Sequence, residues 1–182
     1  MNLLVWNCRG LGLDPTVGEL RDLIRSYNTT VVFLSETKKK ARAMEKVKWS
    51  LGFRNGIVVD CDGRSGGLAL LWRDHITVTA RPWCQYYIDA EITLEGRTVR
   101  FTGIYGEPRT EQRQKTWEVL RYLRRQDDFP WLCAGDFNEI LFQTEQRGGN
   151  PRNFNQMEDF WECLGDCELR FGFHWIPFYV GQ

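Results

Sequence analysis

The stretch GIVVDCDGRSGGLALLW, residues 56–72, holds two apolar runs, 56–60 and 67–72, parted by Asp62-Gly63-Arg64-Ser65-Gly66. Branched and large apolar side chains suit a pleated surface, and a Gly/Asp/Ser cluster between two such runs reads as the turn of a hairpin. Three more strand-like runs follow at 76–81, 86–94 and 97–105, the last two joined by Glu95-Gly96. Upstream, 40–51 reads as a helix with Ala41, Met44, Val47 and Leu51 on one side, preceded by a strand at 31–35. Before that, Asp14-Pro15 reads as a helix N-cap with proline at the first helical position. Val17, Leu20, Ile24 and Tyr27 then recur at spacings of three and four, and an opening strand covers 3–7. Downstream come a helix over 111–126 with Trp117, Leu120 and Leu123 inward and a strand at 131–135. A polar Gly/Asn/Arg-rich loop at 145–155, a helix at 156–164 and strand-like residues 168–173 complete the reading. Strands grouped between helices predict an α/β (α+β) fold in which two sheets pack face to face with helices outside, as one domain over 1–182.

Several of these strands end on a reactive polar group. Leu132-Cys133-Ala134-Gly135 stops at Asp136-Phe137-Asn138-Glu139. Positions i and i+2 of a strand project to the same side, so a carboxylate and an amide are delivered together. A GDxN string alone is also ordinary turn chemistry. Leu3-Leu4-Val5-Trp6 runs into Asn7-Cys8-Arg9-Gly10, Val31-Val32-Phe33-Leu34 into Ser35-Glu36-Thr37, and Phe101-Thr102-Gly103-Ile104 into Tyr105-Gly106-Glu107-Pro108. Strand ends gathered on one rim of a rigid sheet are a recurrent place for a site. The four ends offer Asn7, Glu36, Tyr105, Asp136 and Asn138. That set contains a carboxylate suited to a hard metal, a carboxylate able to activate water, and three neutral hydrogen-bonding groups.

The ordered motifs WNCRG, SETK, GGLALLW, GIYGEP and CAGDFNEI resemble those of the endonuclease/exonuclease/phosphatase superfamily, whose fold is that of apurinic endonucleases and deoxyribonuclease I. The chain looks most like the endonuclease domain of plant non-LTR (LINE-type) retrotransposon polyproteins, with the likeness covering residues 1 to about 178. The resemblance implies a four-layer α/β sandwich of two mixed sheets. It implies Mg²⁺, with Mn²⁺ as a substitute, held by Glu36 with help from Asn7. Tyr105 would contact the scissile phosphate, Asp136 would activate the attacking water, and Asn138 would stabilise charge on the phosphate. Lys38, Arg9 and Arg109 are candidate substrate contacts. The implied activity is a Mg²⁺-dependent DNA-nicking phosphodiesterase, a monomer whose parent polyprotein carries a reverse transcriptase. Phosphatases of the same superfamily share these motifs, and a non-catalytic remnant is the alternative from another class.

The family pattern ends differently. Its Pro-Phe is followed by Thr-Trp, a late Asp and a Ser-Asp-His, whereas Pro177-Phe178 here leads into Tyr179-Val180-Gly181-Gln182. The expectation is therefore a domain lacking its last strands, with an exposed strand edge, low stability and impaired hydrolysis. Neither His75, in an apparent turn, nor His174, upstream of the expected position, lies in the matching motif.

Lys plus Arg number 24 and Asp plus Glu number 24, so net charge does not announce nucleic acid and a local patch would have to supply affinity. Lys38-Lys39-Lys40, Arg42, Lys46 and Lys48 could be that patch or a solvated helix face. The six cysteines are scattered without zinc spacing and are expected to be free, buried thiols in a reducing compartment. No secretory leader or apolar run of membrane-spanning length is visible, so a soluble nuclear or cytoplasmic protein is expected.

Overall fold

The structure is a computed structural model, described here for residues 1–12 and 14–170. The described residues fall into two compact units, one up to residue 139 and one from residue 140. The first holds β1 (Leu3–Asn7), α1 (Asp14–Ser26), β2 (Val31–Ser35), α2 (Ala41–Ser50), β3 (Asn55–Asp62) and β4 (Ser65–Trp72). It continues through β5 (Thr77–Cys84), β6 (Tyr87–Leu94), β7 (Arg97–Tyr105), α3 (Gln114–Arg124) and β8 (Trp131–Asp136). The second holds α4 (Phe154–Asp166), and there the Phe142 and Trp161 rings meet edge to face, 5.9 Å apart. Among the described residues no helix is long and apolar enough to cross a membrane.

Two four-stranded mixed sheets result, ordered β1-β2-β4-β3 and β5-β6-β7-β8. β2 is buried along its whole length, which suits its unbroken run of apolar residues. Its alternation splits that run between two cores. Val31 and Phe33 pack between the sheets with Leu68, Leu70, Ile88, Ile92 and Phe101. Val32 and Leu34 pack outward with Leu20 and Ile24 of α1 and Met44 and Val47 of α2. The Phe33 and Phe101 rings meet edge to face at 5.9 Å, joining the two sheets at their centre. On β7, Arg100 and Thr102 point the other way, beneath α3, where Arg100 Nη1 donates to the Leu123 carbonyl at 2.8 Å. Helix, sheet, sheet, helix is the four-layer order. β5 is an exposed edge, and its Arg81-Pro82 sits in a register break between Ala80 and Trp83, where a proline removes no ladder hydrogen bond.

The expected elements all form up to α4, with a few corrections. The 111–126 helix divides into a 3-10 turn at Thr110–Gln112 and α3. Tyr27 lies past the end of α1 and is exposed, and Ala41 is exposed at the start of α2. Residues 168–170 form no strand, and the rest of that expected strand, with His174, lies outside the described residues. Lys48 leaves the basic run: it is buried and its ammonium pairs with Glu45 at 2.8 Å. Lys40 is likewise engaged, donating to the Cys61 carbonyl at 2.7 Å. The six cysteines are thiols outside any disulfide, four of them buried, with Cys84 and Cys133 only half-buried.

Candidate active site

β1 and β2 run parallel in register Asn7↔Ser35, and β7 and β8 run parallel in register Tyr105↔Asp136. Parallel strands end together, so each sheet presents two chain ends at the same rim. The polar groups that close these strands then meet. The Asn7 side-chain nitrogen donates to Glu36 Oε1 at 2.9 Å and to Asp136 Oδ2 at 2.6 Å. One amide thus joins a carboxylate of the first sheet to one of the second. Its orientation is set from behind, because the backbone N–H of Arg9 donates to Asn7 Oδ1 at 3.1 Å. Asn7 therefore turns its N–H groups, and not its oxygen, toward the carboxylates.

The backbone here is unusual. Arg9, Glu36, Lys38 and Asn138 all hold positive φ, at 47°, 53°, 51° and 55°. Outside glycine and asparagine this conformation costs on the order of 1–3 kcal/mol each, and it tends to cluster where function requires it. The Glu36–Lys38 turn is held by Thr37 N–H to the Gly67 carbonyl and Lys38 N–H to the Gly66 carbonyl, both 3.0 Å. Lys38 Nζ then lies 3.7 Å from Glu36 Oε2.

The β8 end is fixed by two glycines. A side chain on Gly106 would run into the Phe137 carbonyl, and one on Gly135 into the Ile104 carbonyl. With no Cβ in the way, Gly106 N–H donates to the Asp136 carbonyl at 2.7 Å. The Gly106 carbonyl in turn accepts from Asn138 Nδ2 at 2.7 Å. The Asn138 backbone N–H donates to Asp136 Oδ1 at 2.9 Å. Both Asp136 oxygens are thereby aimed.

Tyr105 is half-buried, and burial pushes its hydroxyl up to about 12, with the charges of Glu36 and Asp136 adding to the effect. At neutral pH it is a hydrogen-bond donor and not a base. Because its folded value lies above the ordinary one, its contribution to stability is complete below about pH 10 and is lost as pH rises toward 12. Phenolate absorbance of the folded protein should show a late-titrating tyrosine that is missing from Tyr105→Phe; titration of every tyrosine near pH 10 would contradict this. Burial also pushes the Cys8 thiol up to about 11, so the cysteine beside Asn7 is not a thiolate nucleophile.

The structure thus brings together Asn7, Glu36, Tyr105, Asp136 and Asn138, with Lys38 at the edge. Arg9 contributes its backbone, and its side chain is exposed. Arg109 is tied instead to Glu107, its Nε 2.9 Å from Oε1. Sequence reasoning missed Arg113 and Glu139, whose side chains pair at 2.6 Å behind the site. The signal was available: Arg113 is four residues before Trp117, on the inward face of α3.

The Endonuclease/Exonuclease/phosphatase family model matches residues 4–181. The chain belongs to that family. Two sheets ending in a shared rim also align with solved structures. The endonuclease domain of TRAS1, a telomere-specific non-LTR retrotransposon, aligns with TM-score 0.66 at 16% identity, over 91% of this chain and 71% of that one. The AP endonuclease LMAP from Leishmania major gives 0.66 at 15%, over 91% and 66%. An AP endonuclease from Archaeoglobus fulgidus gives 0.62 at 14%, over 90% and 68%. At these identities the likeness is one of fold, and this family member spans about two thirds of the lengths of those structures. No curated protein matches the sequence significantly.

Proposed function

We propose that this family member is a divalent-cation-dependent phosphodiester hydrolase that nicks DNA, of the non-LTR retrotransposon type and nearest in its motifs to plant elements. The observation that carries the reading is the Asn7 amide, which holds Glu36 and Asp136 together although they end strands in different sheets. Two carboxylates set around one amide form a concentrated negative site of oxygen donors. That is the donor chemistry of Mg²⁺ or Mn²⁺, which need only one or two carboxylates and keep several waters. Among the described residues no three His, Cys, Asp or Glu side chains form a cage, so the chain would supply only one or two ligands; Glu36 would be the principal one, leaving Asp136 for the water. Asn7 acts there by orienting the carboxylate. When bound, the ion supplies charge neutralisation on a phosphate oxygen and at the leaving alkoxide.

The remaining work falls to the chain. Asp136, with both oxygens aimed by Asn7 and Asn138, accepts a proton from the attacking water. Tyr105, kept neutral, donates to a phosphate oxygen. Asn138 fixes the Asp136 turn against Gly106 and lies beside the charge that develops. Lys38, Arg9 and Arg109 contact flanking phosphates, which for Arg109 means leaving Glu107.

Mn²⁺ titration followed by paramagnetic broadening tests the metal assignment. Resonances of residues 7, 36 and 136 should broaden first, and Glu36→Gln should weaken the effect at least 10-fold, since a charged ligand is replaced by a neutral one. Equal broadening in wild type and Glu36→Gln would remove Glu36 from that role.

A further inference from the structure

Behind the strand ends lies an ion pair that takes no part in the chemistry described. Arg113, at the head of α3, directs Nη1 to Glu139 Oε2 at 2.6 Å and Nη2 to the Pro108 carbonyl at 3.4 Å. The two side chains are 7% and 0% exposed. Pro108 follows the Tyr105-Gly106-Glu107 turn, and Glu139 follows the Asp136-Phe137-Asn138 turn. One planar guanidinium therefore spans the two segments that carry Tyr105 and Asp136. Such a fork fixes relative position in a way that the single ammonium of lysine cannot.

Stability alone does not account for this pair. Arg113 Nε is buried without a hydrogen-bond partner, so the charge is incompletely compensated. Buried pairs of this kind are commonly replaced by apolar residues with no loss of stability, or with a gain. The two turns are already joined on the near side through Gly106, by its N–H to Asp136 and its carbonyl to Asn138. The first turn is also pinned to α3 by Glu107 N–H to Thr116 Oγ1 at 3.0 Å, and the Glu107 carboxylate accepts from the Tyr86 hydroxyl at 3.3 Å. Arg113 supplies the far-side constraint, and it is the only one of these contacts that reaches past Asn138.

We propose that Arg113 and Glu139 are positioning residues for the reaction: a buried brace that sets Asp136 and Asn138 against Tyr105, at no net gain in stability. The proposal rests on the hydrolase reading of the site. A displacement of about 1 Å at a reacting group can cost on the order of 10²-fold in rate, which sets the size of the effect.

The test replaces both partners together, Arg113→Met with Glu139→Leu, and separately makes Arg113→Lys. Three quantities are measured: thermal unfolding, kcat and KM on a short DNA duplex with Mg²⁺, and amide exchange at Gly106 and Asn138 relative to β2. The double variant should unfold within a few degrees of wild type and lose about 10²-fold in kcat with little change in KM. Its Gly106 and Asn138 amides should exchange at least 10-fold faster while β2 amides do not, a local loosening. Arg113→Lys, which keeps the charge and loses the fork, should fall between. Wild-type kcat in either folded variant would overturn the proposal, as would unchanged exchange at Gly106 and Asn138. If the double variant fails to fold, the lysine variant decides on the same two readouts. If wild type does not nick DNA, the hydrolase reading fails, and the exchange measurement still decides whether the brace positions the turns.

Discussion

Asp89→Ala should destabilise the fold by about 3–5 kcal/mol, the cost of leaving a buried charge without its partner. For a domain of this size that lowers the melting temperature by roughly 10 °C. Asp89 is fully buried on β6 and is the hub of a charged cluster on the outer face of its sheet. It accepts from Arg100 Nη2 at 2.8 Å and from Thr102 Oγ1 at 2.7 Å, and Arg81 Nε lies 3.1 Å away. Without it, the Arg100 guanidinium, 1% exposed, would keep only the Leu123 carbonyl and Asp127, the latter at 3.3 Å. Arg81 would still reach Asp127 at 2.6 Å and Glu91 at 2.9 Å, so the damage should centre on β6 and β7. Trp131 Nε1, which donates to Thr102 Oγ1 at 2.8 Å, extends the cluster to β8. Urea or thermal unfolding of Asp89→Ala beside wild type measures the effect. A loss under about 1 kcal/mol would mean that water reaches the two arginines and compensates them.

Asp136→Asn should lower kcat by about 10²–10⁴, the usual range for a lost general base. The substitution preserves volume but not hydrogen bonding. Asp136 Oδ2 accepts from Asn7 Nδ2, and Oδ1 accepts from the Asn138 N–H. An amide at position 136 can satisfy only one of these, because its nitrogen would face a donor. If that nitrogen faced Asn7, the Asn7 amide would have to flip and lose both Glu36 and the Arg9 N–H; if it faced Asn138, the Asn138 N–H would lose its acceptor. A further cost of about 1 kcal/mol in stability is expected from that mismatch. Both quantities can be read on one preparation, by single-turnover cleavage of a labelled duplex and by thermal unfolding. A folded Asp136→Asn protein with wild-type kcat would take Asp136 out of the chemistry.

The readable parts of this chain were those governed by short-range pattern. The hairpin of β3 and β4, the apolar run of β2 and the inward face of α3 follow from side-chain alternation and spacing. The rim was readable for a related reason: Asn7, Glu36, Tyr105, Asp136 and Asn138 each interrupt or follow an apolar strand, and parallel pairing brings such ends together. What could not be read depends on which partner a polar group finds. Asp89 and Arg100 look like the solvent side of a two-faced strand, yet α3 covers that side and they pair with each other. Lys48 looks like part of a basic patch until Glu45 and burial remove it. Asn7 could be placed at the rim by pattern, but not the orientation of its amide, whose oxygen accepts from the Arg9 backbone and whose nitrogen faces both carboxylates. The spacing to Trp117 could place Arg113 on a buried side, but its partner Glu139, far along the sequence, was beyond the reach of any local pattern.

The central claim is that Glu36 and Asp136, held by Asn7, form a cation-dependent site for phosphodiester hydrolysis. Conversion of supercoiled plasmid to open circle by the purified chain tests it most directly, with Mg²⁺, with Mg²⁺ plus a chelator, and with Asp136→Asn. The account predicts open circles from wild type with Mg²⁺, formed slowly in keeping with the impaired hydrolysis expected from the sequence, and none above background in the other two. Nicking that persists with chelator, or that Asp136→Asn performs as fast as wild type, would contradict it, as would a folded wild-type protein that binds Mn²⁺ and leaves the plasmid supercoiled.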